Sequence, residues 1–334
     1  MNTNSNMDEI DTVIKNLGNI SFDGQTVLVN GGAGFLGSWV CGALVEQNAN
    51  VLCLDNFSSG LKSNISHLTN KSNFTFYEHN ITEPIYFDRK IDLVMHMASR
   101  ASPFEFEKFP IQILKANTLG IWVALGIAKK HGARFLYTST SEIYGSPDVV
   151  PTPESYNGNV NPVGPRSCYD EAKRCGESYV IAYKTQHNMD TRIVRIFNTY
   201  GPKMRPDDIY GRVIPRFIEQ ALDKKPITVF GDGSQTRSFC YMTDQVEGLL
   251  RFAYLDEGRD KIINIGNEDE VKIIELANKI KDLTDSSSKI TNYPLPEDDP
   301  LRRCPDITKA KKILGWEPKI SLDDGLRRMI KHLV

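Results

Sequence analysis

Apolar residues along the chain fall into short runs separated by longer stretches of helical spacing. Thr26-Val-Leu-Val-Asn30 and Val51-Leu-Cys-Leu-Asp55 are two such runs. Near-continuous apolar runs of this length mark parallel strands buried on both faces. The pattern predicts strands near 26–30, 51–55, 74–78, 92–96, 134–139 and 191–196, with helices over 35–47, 110–131 and 166–187. Alternation at this spacing predicts an α/β fold built on a doubly wound parallel sheet. After Phe197 the alternation weakens. Asn198-Thr-Tyr-Gly-Pro202 reads as a turn and 203–212 is polar and basic. A helix over 213–223, a strand over 227–230, a loop over 231–237, a strand over 262–266 and helices over 271–283 and 319–333 follow. This predicts a smaller lobe, 198–334, interleaved with a first domain, 23–197, to which the chain returns near 240–266. Residues 1–22 form an extension. Its Ile10, Val13, Ile14 and Leu17 lie at helical spacing, so a short amphipathic helix is expected to dock on the body.

Composition narrows the class. The chain has 334 residues, 40% hydrophobic and 25% charged, ordinary for a globular protein with a large core. A net charge of −2 gives no reason to expect nucleic acid or an anionic membrane as partner. No apolar run approaches the length of a bilayer span, so no membrane segment is expected. The first residues lack the basic and apolar parts of a signal peptide. Six cysteines without Cys-x-x-Cys spacing predict free thiols in the cytoplasm, with neither a disulfide frame nor a zinc site. The six histidines form no ligand pattern, so no metal is expected. His96, at a strand end, reads as structural or adjacent to a cofactor.

Chemistry enters with Gly31-Gly-Ala-Gly34-Phe-Leu-Gly37, which follows a strand and opens a helix. Glycines here permit a tight turn and close approach of backbone N–H groups, and the helix N-terminus faces a pyrophosphate. A glycine-rich turn without a ligand is the plainer alternative. Asp55, ending the second strand, lies at about the separation expected for a carboxylate that binds an adenosine ribose diol. That carboxylate repels a 2′-phosphate, and the nearest following cation is Lys62. These features predict a Rossmann domain that takes NAD rather than NADP.

A second group of residues reads as a redox site. Thr138-Ser-Thr-Ser-Glu-Ile-Tyr-Gly145 is followed by Tyr169-Asp-Glu-Ala-Lys173. Tyr169 and Lys173 share one helix face. An ammonium beside the phenol is expected to lower its pKa toward working pH, making Tyr169 a base for a sugar hydroxyl that Thr140 also hydrogen-bonds. Tyr-x-x-x-Lys alone is a weak signal. With 13 tyrosines, on the order of one such pair arises by chance, and Tyr86…Lys90 is a second copy. A surface tyrosine beside a solvated lysine is the alternative, and the glycine motif and the preceding Ser/Thr-rich strand weigh against it. Ala172, Cys175, Tyr179, Val180 and Tyr183 form a stripe on the same helix, read either as core packing or as part of a dimer interface.

Together these motifs resemble the extended short-chain dehydrogenase/reductase family acting on nucleotide sugars, and within it the UDP-glucuronate decarboxylase (UDP-xylose synthase) branch. The resemblance spans roughly residues 24–333. It includes Asn161-Pro-Val-Gly-Pro-Arg-Ser-Cys-Tyr-Asp-Glu-Ala-Lys173, Arg195-Ile-Phe-Asn-Thr-Tyr-Gly-Pro202, Gly233-Ser-Gln-Thr-Arg237 and Asp298-Asp-Pro-Leu-Arg-Arg-Cys-Pro-Asp306. It implies that Thr140, Tyr169 and Lys173 form the redox triad. Glu142 and Arg303 match a pair beside the sugar carboxylate, and Ser141 matches a hydroxyl contact there. Asn198, Arg212 and Arg237 match contacts to the nucleotide diphosphate. Gly31, Gly34, Phe35, Leu36, Gly37, Asp55, Asn56, Asn80 and Ile81 match the NAD site, with Tyr169 and Lys173. The family usually has Asp where this chain has Asn80, and Pro where it has Arg100. Asn80 can still accept through its carbonyl. Arg100 either offers a cation to a sugar carboxylate or points to solvent, the latter favoured. The resemblance also implies a homodimer paired through 110–131 and 166–187.

The implied reaction oxidises C4 of UDP-glucuronate, loses CO₂ from the resulting 4-keto acid and reduces C4 again to give UDP-xylose. Glu142 then either assists proton transfer or ring distortion, or only positions Arg303. A UDP-glucuronate 4-epimerase and a nucleotide-sugar 4,6-dehydratase are rivals on the same fold. An NAD-binding sensor without activity is the rival from another class.

Overall fold

The structure, a computed structural model, describes residues 3–205 and 212–334. The middle of the polar stretch after Pro202 lies outside the described residues. The first half of the chain alternates α1 (Thr3–Leu17), β1 (Thr26–Asn30), α2 (Phe35–Glu46), β2 (Asn50–Asp55), α3 (Lys62–Ile65), β3 (Phe74–Glu78), β4 (Leu93–His96), α4 (Pro103–Lys108), α5 (Pro110–His131), β5 (Arg134–Thr140), α6 (Ser167–His187) and β6 (Thr191–Ile196). The strands form one parallel sheet in the order β3-β2-β1-β4-β5-β6, extended beyond β6 by Ile262–Ile265. The direction of strand addition reverses between β1 and β4, so a crevice opens there at the carboxyl ends of the strands.

The sheet forms because its central strands bury side chains on both faces. Val27, Leu28 and Val29 are all fully buried, with alternate residues serving the two apolar layers. β1 turns sharply into α2 at Gly31, whose φ is +80°. A Cβ at Gly31 would lie 2.7 Å from the Ala98 backbone, and one at Gly37 would lie 2.2 Å from the Gly31 carbonyl oxygen. Only glycine fits either place, and the close packing brings the helix N-terminus against the crevice.

α1 docks as the spacing predicts, with Ile10, Val13 and Leu17 buried. Glu9 anchors its outer end: it accepts from the Tyr241 hydroxyl at 2.7 Å and from Arg328 at 3.1 Å.

The later part of the chain is interleaved more deeply than the pattern implies. Helix Met242–Tyr254 has no counterpart among the expected elements, yet nearly all of it is buried against the sheet side. Its first turns bury Thr243, Asp244, Gln245 and Glu247, which hides any amphipathic signal. Backbone N–H groups of Lys319 and Ile320 both donate to Asp244 Oδ2, and Lys319 and Arg251 pair with Glu247. The expected loop 231–237 ends instead in a strand, Thr236–Ser238, set between Glu270–Lys272 and Arg302–Arg303. The C-terminal helix begins at Leu322.

α5 also departs from expectation. By length and composition it is apolar enough to cross a membrane. One face, including Ile113, Ile121, Ala124 and Leu125, is buried in the structure. The other leaves Ile111, Leu114, Leu119 and Trp122 exposed.

Candidate active site

The crevice widens into a cavity of about 1040 Å³. The residues matched to the NAD, redox and nucleotide-sugar sites all border it. Gly31, Gly34, Phe35, Leu36, Gly37, Asp55, Asn56, Asn80 and Ile81 lie toward β1 and β2. Thr140, Ser141, Glu142, Tyr169 and Lys173 line the middle, and Asn198, Arg212, Arg237 and Arg303 lie on the far wall.

The first group fits a dinucleotide. Asp55 is fixed at the end of β2 by backbone N–H groups of Ala33, at 3.0 Å, and Phe57, at 2.8 Å. Burial raises its pKa, and these bonds work against that rise. A carboxylate so held, beside a glycine turn with no room for a Cβ, suits a ribose diol below a pyrophosphate. Asn80 uses its carbonyl oxygen on the Thr82 N–H and its amide on Glu83. His96 is structural. It is fully buried against Asn30 and Tyr137, and burial lowers its pKa to about 3. Among the described residues no cluster of His, Cys, Asp and Glu could hold a metal.

The redox group sits where β5 ends. Thr140 begins a short turn, Ser141–Tyr144, and accepts from the Glu142 N–H at 3.3 Å. Its side chain also hydrogen-bonds the Tyr169 phenol. Tyr169 is buried and stacked on Phe106, ring centroids 4.9 Å apart. Lys173 donates to the Thr138 carbonyl at 2.7 Å and lies 5.8 Å from the Tyr169 ring centroid. The expected drop in the Tyr169 pKa is absent. Burial, and then the Glu142 charge, push it well above its ordinary value. Burial instead lowers Lys173 to about 7. The lysine donates to a backbone carbonyl, and burial dominates at the phenol. Tyr86, the chance copy, is 79% exposed, and Lys90 pairs with Asp92 outside any helix.

Glu142 is the centre of charge. Arg303 grips it with two bonds, 2.5 and 2.7 Å, and Arg166 binds the same carboxylate. Burial opposes its ionisation, but Arg166 and Arg303 outweigh that and hold its pKa below the ordinary value. Such bidentate charge-assisted pairs are strong and directional. The short strand pairing Arg303 with Arg237 brings the two arginines together. Arg237 is buried rather than solvated, and Asp299 accepts from it at 2.8 Å. Arg212 is set on the cavity wall by a left-handed backbone, φ 46°, just before helix Val213–Leu222. Asn198 donates to the Ser238 carbonyl at 3.4 Å.

Arg100 does not point to solvent. It pairs with the buried Glu105 and its guanidinium lies 4.2 Å from the Phe109 ring centroid. Arg205 approaches the same Glu105 at 3.6 Å. The sequence reading also passed over Arg166, Asp170 and Asp299. The first two lie inside the motif that supplies Tyr169, so their position beside Tyr169 was the available signal.

The NAD dependent epimerase/dehydratase family matches residues 27–266. UDP-glucuronic acid decarboxylase 4 of Arabidopsis thaliana is 48% identical over 306 residues, covering 91% of this chain and 68% of that protein. UDP-glucuronic acid decarboxylase 1 of Danio rerio is 45% identical over 310 residues, covering 93% and 73%. Among solved structures, the epimerase Mth375 of Methanothermobacter thermautotrophicus superposes with a TM-score of 0.85 at 30% identity, covering 97% of this chain and 95% of that one. UDP-glucuronic acid 4-epimerase of Bacillus cereus, in complex with UDP-glucuronic acid and NAD, has a TM-score of 0.82 at 27% identity, covering 92% and 99%. A parallel sheet with its crevice at the β1/β4 reversal, a glycine turn that excludes any Cβ and a buried Tyr/Lys pair thus sit in a chain that belongs to the NAD dependent epimerase/dehydratase family.

Proposed function

We propose that the chain converts UDP-glucuronate to UDP-xylose and CO₂, with NAD as a catalytic cofactor. The observation that carries this reading is the Glu142 carboxylate held by Arg303 and Arg166 two residues beyond Thr140. The decarboxylase relatives, at 45–48% identity over most of the chain, support it.

The roles follow from placement. Tyr169 takes the proton of the sugar 4-hydroxyl, with Thr140 holding the same oxygen. Lys173, anchored on Thr138, sets the ring face open to the cofactor. NAD, held by the Gly31–Gly37 turn and Asp55, would supply the hydride acceptor and donor for C4 when bound. Oxidation at C4 leaves a ketone β to the carboxylate on C5. A β-keto acid loses CO₂ because the carbonyl accepts the electron pair of the breaking bond. Arg303 is the cation placed to orient that carboxylate, sharing its guanidinium between the sugar and Glu142. Arg237, Arg212, Asn198 and Ser141 are assigned to the nucleotide diphosphate and sugar.

The epimerase neighbours share this chassis, and one of them binds UDP-glucuronic acid. Incubation with UDP-glucuronate, followed by mass spectrometry of the nucleotide sugars and trapping of CO₂, separates the readings. UDP-xylose with CO₂ is expected. UDP-galacturonate without CO₂ replaces this assignment with an epimerase.

The reading extends to assembly. α5 exposes Ile111, Leu114, Leu119 and Trp122, and the neighbouring α6 exposes Ile181. Positions 111, 114, 119 and 122 form one apolar stripe along α5. We assign it to a second copy of the chain, forming a four-helix contact, rather than to a bilayer. The opposite face of α5 is already committed to the core. A cytoplasmic setting is inferred from six free cysteines.

A further inference from the structure

The proposed reaction leaves one proton unaccounted for. The substrate carboxylate departs as CO₂, so the hydrogen on C5 of the product cannot come from the sugar. The proton that Tyr169 removes from the 4-hydroxyl returns to the same oxygen when C4 is reduced. One proton per turnover must therefore enter from solvent and reach C5.

A second cavity, about 220 Å³, lies on the other side of Glu142. Glu142 and Arg166 border both cavities and form the wall between them. The smaller one is also lined by Asp170, Asn161, Asp298 and Ser146. A space of this size with polar walls can hold several waters. Asp298 and Ser146 are exposed, so the chamber reaches solvent. Asp170 is 4% exposed, and its Oδ1 is buried without a hydrogen-bond partner. Its Oδ2 lies 3.7 Å from Arg166 Nε, while Arg166 Nη2 binds Glu142. A buried carboxylate oxygen without a donor is costly when ionised and comfortable as a carboxylic acid.

We propose that Asp170 is a proton-relay residue: it recharges Glu142 from the small chamber, and Glu142 delivers the proton to C5 after CO₂ leaves. The proposal rests on the decarboxylase reading. The C5–C6 bond breaks and its electron pair enters the C4 carbonyl as an enolate. The C5–H bond then forms with the proton of Glu142, Asp170 reprotonates Glu142, and water in the chamber reprotonates Asp170. When Arg303 shares its charge with the sugar carboxylate, Glu142 and Asp170 are left with Arg166 between them. Two carboxylates around one guanidinium hold one proton readily.

The groups facing Asp170 agree with this role. Burial and then Glu142 raise its pKa to about 7; Arg166 and Arg303 oppose the rise, and Glu171 adds to it. Cys168 on the same helix is a neutral thiol, its own pKa raised by burial and by Asp170. Asp298, across the chamber, donates to nothing in this cluster and accepts from Asn161. The donor form of Asp170 is the protonated one, populated below about pH 7.

The test uses the full-length holoenzyme with UDP-glucuronate. Wild-type kcat should fall as pH rises through about 7. Asp170→Asn should lower kcat at least ~10-fold with KM nearly unchanged, and should lose that alkaline limb. Formate should restore the rate of Asp170→Ala by occupying the vacated space as a small acid. Ser146→Phe, which narrows the chamber mouth away from the helix core, should slow kcat in the same way and raise the solvent deuterium isotope effect. A folded Asp170→Asn with wild-type kcat and pH profile overturns the relay, as does a Ser146→Phe enzyme with unchanged kcat. If the wild type itself releases no CO₂, it is the decarboxylase reading that fails, and the two failures are distinguished before any variant is made.

Discussion

Tyr169 shows how far single side chains depart from their sequence neighbours. Its pairing with Lys173 suggested a lowered phenol pKa, yet burial beside Glu142 raises it. The phenol is thus protonated until a positive charge joins it, which ties base strength to a loaded site. Replacing Tyr169 by Phe should reduce oxidation and CO₂ release at least ~10²-fold while leaving nucleotide-sugar binding largely intact. Binding calorimetry beside a turnover assay checks both halves, with Tyr86→Phe as the silent control. Lys173 makes a second prediction. Its folded pKa, about 7, lies below its ordinary value of 10.5 because of burial. The unfolded chain therefore binds the extra proton between those values, and stability rises with pH across that window. Below about 7 both states are charged and the penalty is complete. Lys173→Met should abolish turnover yet raise Tm, with a larger gain at pH 7 than at pH 10. Equal gains at the two pH values would show that desolvation of the ammonium is not the cause.

Among the elements, α1 is the most legible and the most easily tested. Its apolar spacing predicted a docked helix, and the partner surface is now visible on α2 and on Met242–Tyr254. Ile10 sits so close to Gly42 that a Cβ there would lie 2.7 Å from the Ile10 Cδ1. Leu17→Ala should cost roughly 2–4 kcal/mol through the cavity it leaves, measured by denaturant unfolding, with kcat unchanged because α1 does not border the active cavity. Helix Met242–Tyr254 was illegible for the opposite reason. Buried Asp244 and Glu247 find partners 72 to 76 positions away in sequence, which no local pattern can announce. The short strand Thr236–Ser238 belongs to the same class. Three residues carry too little period to be read, yet this strand places Arg237 beside Arg303.

In the molecule as a whole, the two expected assemblies can be checked separately. NAD should be retained through purification, since the proposed cycle returns it and Asp55 is held at the end of β2, where a carboxylate is expected to take a ribose diol. Acid release followed by chromatography should yield NAD or NADH, and NADP would contradict the role given to Asp55. The α5 stripe predicts a homodimer. Trp122, 52% exposed at the middle of that stripe, should be the anchor. Trp122→Asp should convert the dimer to monomer by light scattering at micromolar concentration without unfolding it. A monomeric wild type would remove the dimer assignment.

The residues alone specify the parallel sheet, the glycine turn, the acid that ends β2 and the Tyr/Lys helix, because each rests on interactions between near neighbours with a period of 2, 3.6 or a fixed turn. The strand ends fell within a residue or two of the expected positions for the same reason. Residue types and motifs also marked Glu142 and Arg303, but only folding brings them together across 161 positions as a bidentate pair. Their neighbours Arg166 and Asp170, the turn of Arg100 onto Glu105, and the direction of the Tyr169 and Lys173 pKa shifts were decided by tertiary structure. Burial and the company of distant charges set those properties, and neither is encoded in local spacing.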